Sequence, residues 1–68
     1  MKYILIEVIE RNISTPELFD TFDAAHAKME EYYNEACTND DNAELGEWTA
    51  FCENMNHDNC DWSIFKIE

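Results

Sequence analysis

Apolar residues dominate the start of the chain and alternate there with the period of a strand. The segment YILIEVIE, residues 3–10, is rich in β-branched side chains, which predicts a strand. Successive strand side chains point to opposite faces. One face therefore carries Ile4, Ile6 and Val8, and the other carries Tyr3, Leu5, Glu7 and Ile9. Because both faces are largely apolar, we expect the strand to be covered on both sides.

A helical period follows in DTFDAAHAKMEEYYNEAC, residues 20–37. Thr21 suits the N-cap, and Asp23 complements the positive end of the helix dipole. Apolar positions recur at helical spacing and predict a buried stripe made of Phe22, Ala25, Met29, Tyr32 or Tyr33, and Ala36. The preceding segment RNISTPELFD, residues 11–20, is predicted as a connection that can hold a short strand near Leu18 and Phe19.

The last third of the chain alternates again and predicts a hairpin. Its strands run roughly over Glu47–Met55 and Cys60–Ile67, with a turn at NHDN between them and the polar loop TNDDNAELGE before them. A right-handed crossover places the second strand parallel to the first, and the third fits between them, antiparallel to both. We predict one α+β domain over residues 1–68, of order β-α-β-β. Its three-stranded, mostly antiparallel sheet has the order 1-3-2, with WSIFKI central and the helix on one face.

Charge changes the picture more than hydropathy does. Sixteen Asp and Glu face four Lys and Arg, for a formal net charge of −12. Phosphates of DNA, RNA and anionic membranes are repelled by such a surface, whereas a basic protein is attracted. Residues 30–47, EEYYNEACTNDDNAELGE, contain no Lys or Arg, and their carboxylates are Glu30, Glu31, Glu35, Asp40, Asp41, Glu44 and Glu47.

These seven residues are the predicted partner-binding residues. Duplex DNA carries one charge per ~1.7 Å, and a helix rising ~1.5 Å per residue can present carboxylates at a comparable density. The hypothesis is that they meet Lys and Arg of a basic nucleic-acid-binding protein. The alternative is a small accessory domain whose acids only keep it soluble.

Cysteine and histidine provide one metal candidate. Cys52, His57 and Cys60, with Cys37 as a fourth ligand, offer donors that suit zinc, but the spacing lacks the tight pair of a zinc knuckle. The other interpretation makes the cysteines small buried hydrophobes. We expect no cofactor. One helix on three strands offers little concavity for a substrate, so we also expect no enzymatic activity.

An odd number of cysteines, three, fits a reducing cytosol better than a disulfide scaffold. The segment MKYILIEVIE is too short and too acidic for a signal peptide, and no apolar run approaches the ~18 residues of a membrane span. We therefore expect a cytoplasmic protein.

Aromatic residues are either core or binding anchors. The core interpretation is favoured for Trp62, and both remain open for Trp48 and for the outer of the two tyrosines, Tyr32 or Tyr33. If the second face of the sheet left Tyr3, Leu5 and Ile9 exposed, a homodimer through that face would cover it.

Two stretches, FDTFDAAHAKM and NCDWSIFKIE, resemble parts of short uncharacterised proteins carried by Gram-positive bacteria, their phages and mobile elements. In size and acidity the chain is also similar to anti-CRISPR and anti-restriction inhibitors, which commonly act as DNA mimics. The resemblance implies a setting and no particular site residue. Together these features predict a non-enzymatic inhibitor of a basic nucleic-acid-binding protein, with the accessory domain and a zinc-stabilised module as alternatives.

Overall fold

One helix packs on one face of an antiparallel sheet. The computed structural model describes residues 2–36, 43–53 and 59–67. The helix α1 spans Phe22–Ala36. The strands are β1 (Lys2–Ile9), β2 (Asn12–Ile13), β3 (Glu17–Phe19), β4 (Glu44–Leu45), β5 (Thr49–Glu53) and β6 (Asn59–Ile67). The predicted α+β class, with one helix and a mostly antiparallel sheet, is confirmed for the described residues.

The sheet has six strands, so the prediction of three strands in the order 1-3-2 is wrong. The observed order is β2-β1-β6-β5-β4, with β3 paired to β1. β6 pairs with β1 along the whole length of β1, so β2 and β3 must share the other edge of β1. β6, which contains WSIFKI, lies between β1 and β5.

The β1–β2 hairpin replaces part of the predicted connection. Its turn residues Glu10 and Arg11 both have positive φ, 49° and 70°. Two positive-φ residues between paired strands favour Asn and Gly, so the Glu-Arg pair gives no sequence signal for this turn. The Glu10 backbone N–H donates to the Asn59 carbonyl at 3.0 Å, and a Glu10 carboxylate oxygen accepts from the Asn59 N–H at 3.2 Å. These bonds fix the turn against the start of β6.

α1 begins as its sequence predicts. The Thr21 hydroxyl oxygen accepts a hydrogen bond from the Ala24 backbone N–H at 3.1 Å, which confirms the predicted N-cap. Ala25 and Met29 are fully buried, and the other residues of the predicted stripe are half-buried.

The strand register decides which face of β1 meets α1. Leu5 is buried opposite Ile64, and Tyr3 and Ile9 pack against the same core. Tyr3, Leu5 and Ile9 therefore belong to the helix side, so the condition for a homodimer through an exposed Tyr3-Leu5-Ile9 face is not met. The buried core consists of Leu5, Ala25, Met29, Ala50, Cys52, Cys60, Trp62 and Ile64.

The opposite side of the sheet, called the open face below, is also apolar along β1. Alternation and pairing place eight apolar residues there: Ile4, Ile6, Val8, Ile13, Leu18, Phe51, Phe65 and Ile67. Five of the eight belong to β1 or β6, one to β5, and two to the short strands β2 and β3. Among the described residues, no second helix or strand layer packs on this face.

Within the described ranges, no helix has both the length and the apolar character needed to cross a membrane.

Candidate protein-binding surface

The predicted partner-binding carboxylates occupy two elements and the bend that follows one of them. Glu30, Glu31 and Glu35 are exposed on α1. Glu44 is exposed on β4, and Glu47 is exposed in the bend between β4 and β5. Asp40 and Asp41 lie outside the described residues.

The helical repeat separates the carboxylates of α1. Residues advance by about 100° around a helix with 3.6 residues per turn, so Glu31 and Glu35 are neighbours, whereas Glu30 lies on another side. Asp23 and Glu30, which are two turns apart, share the side of His26. Because an imidazole nitrogen, Nε2 of His26, donates to the Gly46 carbonyl oxygen at 3.1 Å, this side of α1 faces the segment before β5.

That contact brings Glu47 to the same side of the molecule as Asp23 and Glu30. We call these three exposed carboxylates the acidic flank. Glu44 is the cross-strand partner of Phe51, so it belongs to the open face of the sheet. The predicted residues therefore do not form one continuous row. Sequence reasoning missed Asp23, although its spacing of seven residues from Glu30 is a signal for a shared helix side.

Trp48 stands beside the acidic flank and is 41% exposed. Its ring packs on Phe22 with a centroid distance of 4.6 Å and on Tyr3 at 6.3 Å. Its carbonyl oxygen accepts from the Ile64 N–H at 2.8 Å. The indole is thus held in place while part of its surface faces solvent. Trp62, by contrast, is 1% exposed and belongs to the core.

Two of the lysines are engaged away from the acidic flank. Lys2 pairs with Asp20, and this hydrogen bond and charge hold the pKa of Asp20 below its usual value. Lys28 approaches Glu31 at 3.4 Å, and its ammonium lies 5.3 Å from the centroid of the Tyr32 ring. Lys66 is the cross-strand partner of Tyr3, so one cation lies beside the aromatic rings of Tyr3, Phe22 and Trp48. Within the described residues, no ion pair joins a lysine or arginine to Asp23, Glu30 or Glu47.

A second group of polar contacts lies on the helix side of the sheet, near β2 and β3. Glu7 accepts from the Trp62 indole N–H at 2.7 Å and from the Ser14 hydroxyl at 3.1 Å. The Tyr32 hydroxyl donates to Glu17, and this bond raises the pKa of Tyr32 to about 12. These contacts were not predicted from the sequence. A glutamate inside an otherwise apolar strand could have indicated that Glu7 accepts hydrogen bonds in the folded protein. The carboxylates of Glu7 and Glu17 therefore already accept hydrogen bonds from neighbouring side chains.

The zinc hypothesis receives no support from the described cysteines. Cys52 and Cys60 are buried cross-strand partners. Cys52 takes part in a disulfide bond, of which Cys60 is not the other half. A disulfide sulfur is not a thiolate, which is the form that binds zinc. Cys37 and His57 lie outside the described residues, and within the described ones no group of three or more metal-ligating side chains occurs.

Comparison with known proteins gives no relative on which to build. No family model matches the chain, and no curated protein or solved structure is significantly similar to it. The case for a function therefore depends on the charges and contacts of the chain itself.

Proposed function

We propose that this chain is a non-enzymatic interaction protein that inhibits a basic nucleic-acid-binding protein by occupying its nucleic-acid site, as anti-CRISPR and anti-restriction DNA mimics do. The acidic flank and Trp48 are the surface that binds. The observation that carries the proposal is an indole held in place and partly exposed beside the carboxylates of Asp23, Glu30 and Glu47.

The carboxylates supply the first half of the mimicry. Proteins that bind nucleic acid contact its phosphates with Lys and Arg. These cations also attract other surfaces whose negative charges are spaced as closely as phosphates. Two of the chain's four Lys and Arg are already paired with Asp20 and Glu31. The flank therefore keeps its negative potential, which raises the association rate and fixes the orientation of a basic partner.

Trp48 supplies the second half. Single-stranded nucleic acid is bound by stacking its bases on aromatic side chains or Arg guanidinium planes. An indole whose position is fixed by Phe22 and Tyr3 offers a flat aromatic surface of the same kind. A protein site that binds a phosphate and a stacked base at the same time could bind the carboxylates of the acidic flank and the indole of Trp48 in their place.

The test begins with the full chain immobilised and exposed to a lysate of its native host at about 50 mM salt, where electrostatic binding is strong. Retained proteins are eluted in parallel with short duplex DNA, with single-stranded DNA and with polyglutamate of equal charge concentration. The proposal expects a nucleic-acid-binding protein that DNA releases at a lower concentration than polyglutamate does. If polyglutamate releases the retained proteins as well as DNA does, the surface binds basic proteins only through non-specific charge attraction, and the proposal is wrong.

Paired charge reversals then locate the surface. Glu30→Lys with Glu47→Lys changes the acidic flank, and Glu31→Lys with Glu35→Lys gives the same net charge on another side of α1. The flank variant is expected to bind the identified partner at least tenfold more weakly at about 50 mM salt and with a flatter salt dependence. The control variant is expected to lose less than threefold. Equal losses in the two variants would overturn the assignment of the flank.

A further inference from the structure

The open face is an extended apolar surface on a highly charged protein. Ile13 is 69% exposed, Leu18 is 63% exposed and Phe65 is 52% exposed. Ile4, Ile6 and Val8 run between them along β1 and are half-buried. Large apolar side chains that stay this exposed and contiguous are characteristic of interaction sites.

The available area fits a small dimer. The eight apolar side chains of the open face expose on the order of 500 Å² in one copy. Two copies packed face to face would bury roughly 1,000 Å², the lower limit for a specific interface between proteins. Sheets pack in this way in β-sandwiches, at about 10 Å separation, with their apolar side chains interdigitated.

The net charge does not prevent this pairing, because the carboxylates of α1 lie on the other side of the sheet. α1, with exposed Asp23, Glu30, Glu31 and Glu35, covers the opposite side of the sheet. In a face-to-face dimer the two helices become the outermost layers, roughly 30 Å apart when packed layers are about 10 Å apart. That distance is several times the Debye length of about 8 Å at physiological salt. Repulsion between the helices is therefore screened.

The few charges on the open face favour one orientation. Along β1, Lys2 lies at one end of the apolar row and Val8 at the other, and Asp61 is the cross-strand partner of Val8. If the two copies are related by a two-fold axis that crosses the strands, Lys2 of each copy lies over the Val8–Asp61 end of the other. An axis along the strands would instead place Lys2 over Lys2. Opposite charges thus meet only in the first arrangement.

We propose that the open face binds a second copy of this chain in that antiparallel orientation, with the apolar row of β1 at its centre. Lys2, whose ammonium also pairs with Asp20 of its own chain, then faces Asp61 of the other copy at each end of the interface. A cationic partner would find the carboxylates of Asp61 and Glu44 near the Val8 end of this face, whereas the row along β1 is apolar. The proposal is independent of the proposed function, because the acidic flank remains exposed on both copies.

Sedimentation equilibrium of the full chain from about 1 to 500 μM tests the proposal. An interface at the lower size limit is expected to give a reversible dimer that dissociates within this concentration range. Phe65→Glu is expected to weaken the dimer at least tenfold. Ala27→Glu adds the same charge at an exposed position of α1 and serves as the control, with less than a twofold effect. Leu18→Glu, at an exposed edge position, replaces Phe65→Glu if circular dichroism shows that the latter fails to fold.

A charge exchange tests the orientation. Lys2→Glu and Asp61→Lys are each expected to weaken the dimer about threefold to tenfold at low salt, and the double variant is expected to restore it. A chain that stays monomeric at 500 μM, or a dimer unaffected by both open-face variants, would overturn the proposal. A dimer without recovery in the double variant would overturn its antiparallel form. None of these results depends on a nucleic-acid-binding partner.

Discussion

The indole N–H of Trp62 donates a hydrogen bond of 2.7 Å to Oε2 of Glu7, its cross-strand partner in the sheet. Trp62 is the largest fully buried side chain of the described residues, and its ring also contacts Tyr33 edge-on at a centroid distance of 6.1 Å. A buried donor that loses its acceptor carries the full cost of its desolvation. Glu7 thus offsets the cost of burying the indole N–H of Trp62.

Glu7→Leu is expected to lower the free energy of unfolding by about 2 kcal/mol, because the indole N–H then has no acceptor. For a domain of this size the midpoint of thermal unfolding should fall by roughly 10 °C. Glu7→Gln keeps a carbonyl oxygen at the same position and should cost less than half as much. Urea and thermal unfolding followed by far-ultraviolet circular dichroism measure both. Equal stability of the Leu and Gln variants would show that the hydrogen bond contributes nothing.

Tyr32 should titrate later than an ordinary tyrosine. Its hydroxyl donates to Glu17, and this bond raises its pKa from 10.0 to about 12. Since the folded protein then holds the phenolic proton more tightly than the unfolded chain does, the stabilisation is present below about pH 10 and is lost as pH rises toward about 12. Spectrophotometric titration at high pH should therefore show one late phenolic step.

Two variants identify that step. Tyr32→Phe should abolish it, and Glu17→Gln should move it to lower pH because the charged acceptor is gone. Tyr33→Phe, next in the chain and also half-buried, should leave it in place. A late step that survives in Tyr32→Phe would contradict the assignment.

The long elements were predictable because each contains several repeats of its hydrophobic pattern. The helix from Phe22 to Ala36 carries a clear apolar stripe and an N-cap at Thr21, and both were found. β2 and β4 have two residues each, which is too short for any alternation to show. Their existence depends on neighbours already being in place, and the turn at Glu10 and Arg11 uses backbone angles that these residues rarely adopt.

The faces of β1 show a different limit. Both are apolar, so alternation alone could not tell which one meets the helix. A charged residue inside a strand is more common on a solvated face, yet Glu7 lies on the helix side and accepts a hydrogen bond from Trp62. For the candidate surface, the exposure of Glu30, Glu31 and Glu35 followed from the helical pattern. Which side of α1 meets Glu47, however, depends on a contact between His26 and Gly46, twenty residues apart.

Reduction should destabilise the protein, because Cys52 is fully buried and disulfide-bonded. A disulfide typically contributes about 2–4 kcal/mol. Dithiothreitol is therefore expected to lower the thermal midpoint by roughly 10–20 °C. Cys60→Ala should show the same sensitivity to reductant, since Cys60 is not part of the bond. Unchanged melting on reduction, together with alkylation of all three cysteines in denatured, unreduced protein, would contradict this expectation.

The potential around Trp48 can be measured without knowing any partner. Trp62 is 1% exposed and Trp48 is 41% exposed, so collisional quenchers report on Trp48. Carboxylates nearby concentrate cations and repel anions within a Debye length. Caesium should therefore quench tryptophan fluorescence more efficiently than iodide at about 20 mM salt, after each is scaled to a free tryptophan derivative, and the difference should shrink at about 500 mM salt.

The variants decide whether the acidic flank creates that potential. Glu30→Gln with Glu47→Gln should reduce the caesium preference by at least half, whereas Glu31→Gln with Glu35→Gln removes the same charge elsewhere and should reduce it less. Trp48→Phe leaves only the buried Trp62, which neither ion should quench. If the two glutamine pairs behave alike, the field at Trp48 comes from the net charge of −12 as a whole. The mimicry proposal would then lose its local basis, because a surface that only repels anions in general offers a partner no place to dock.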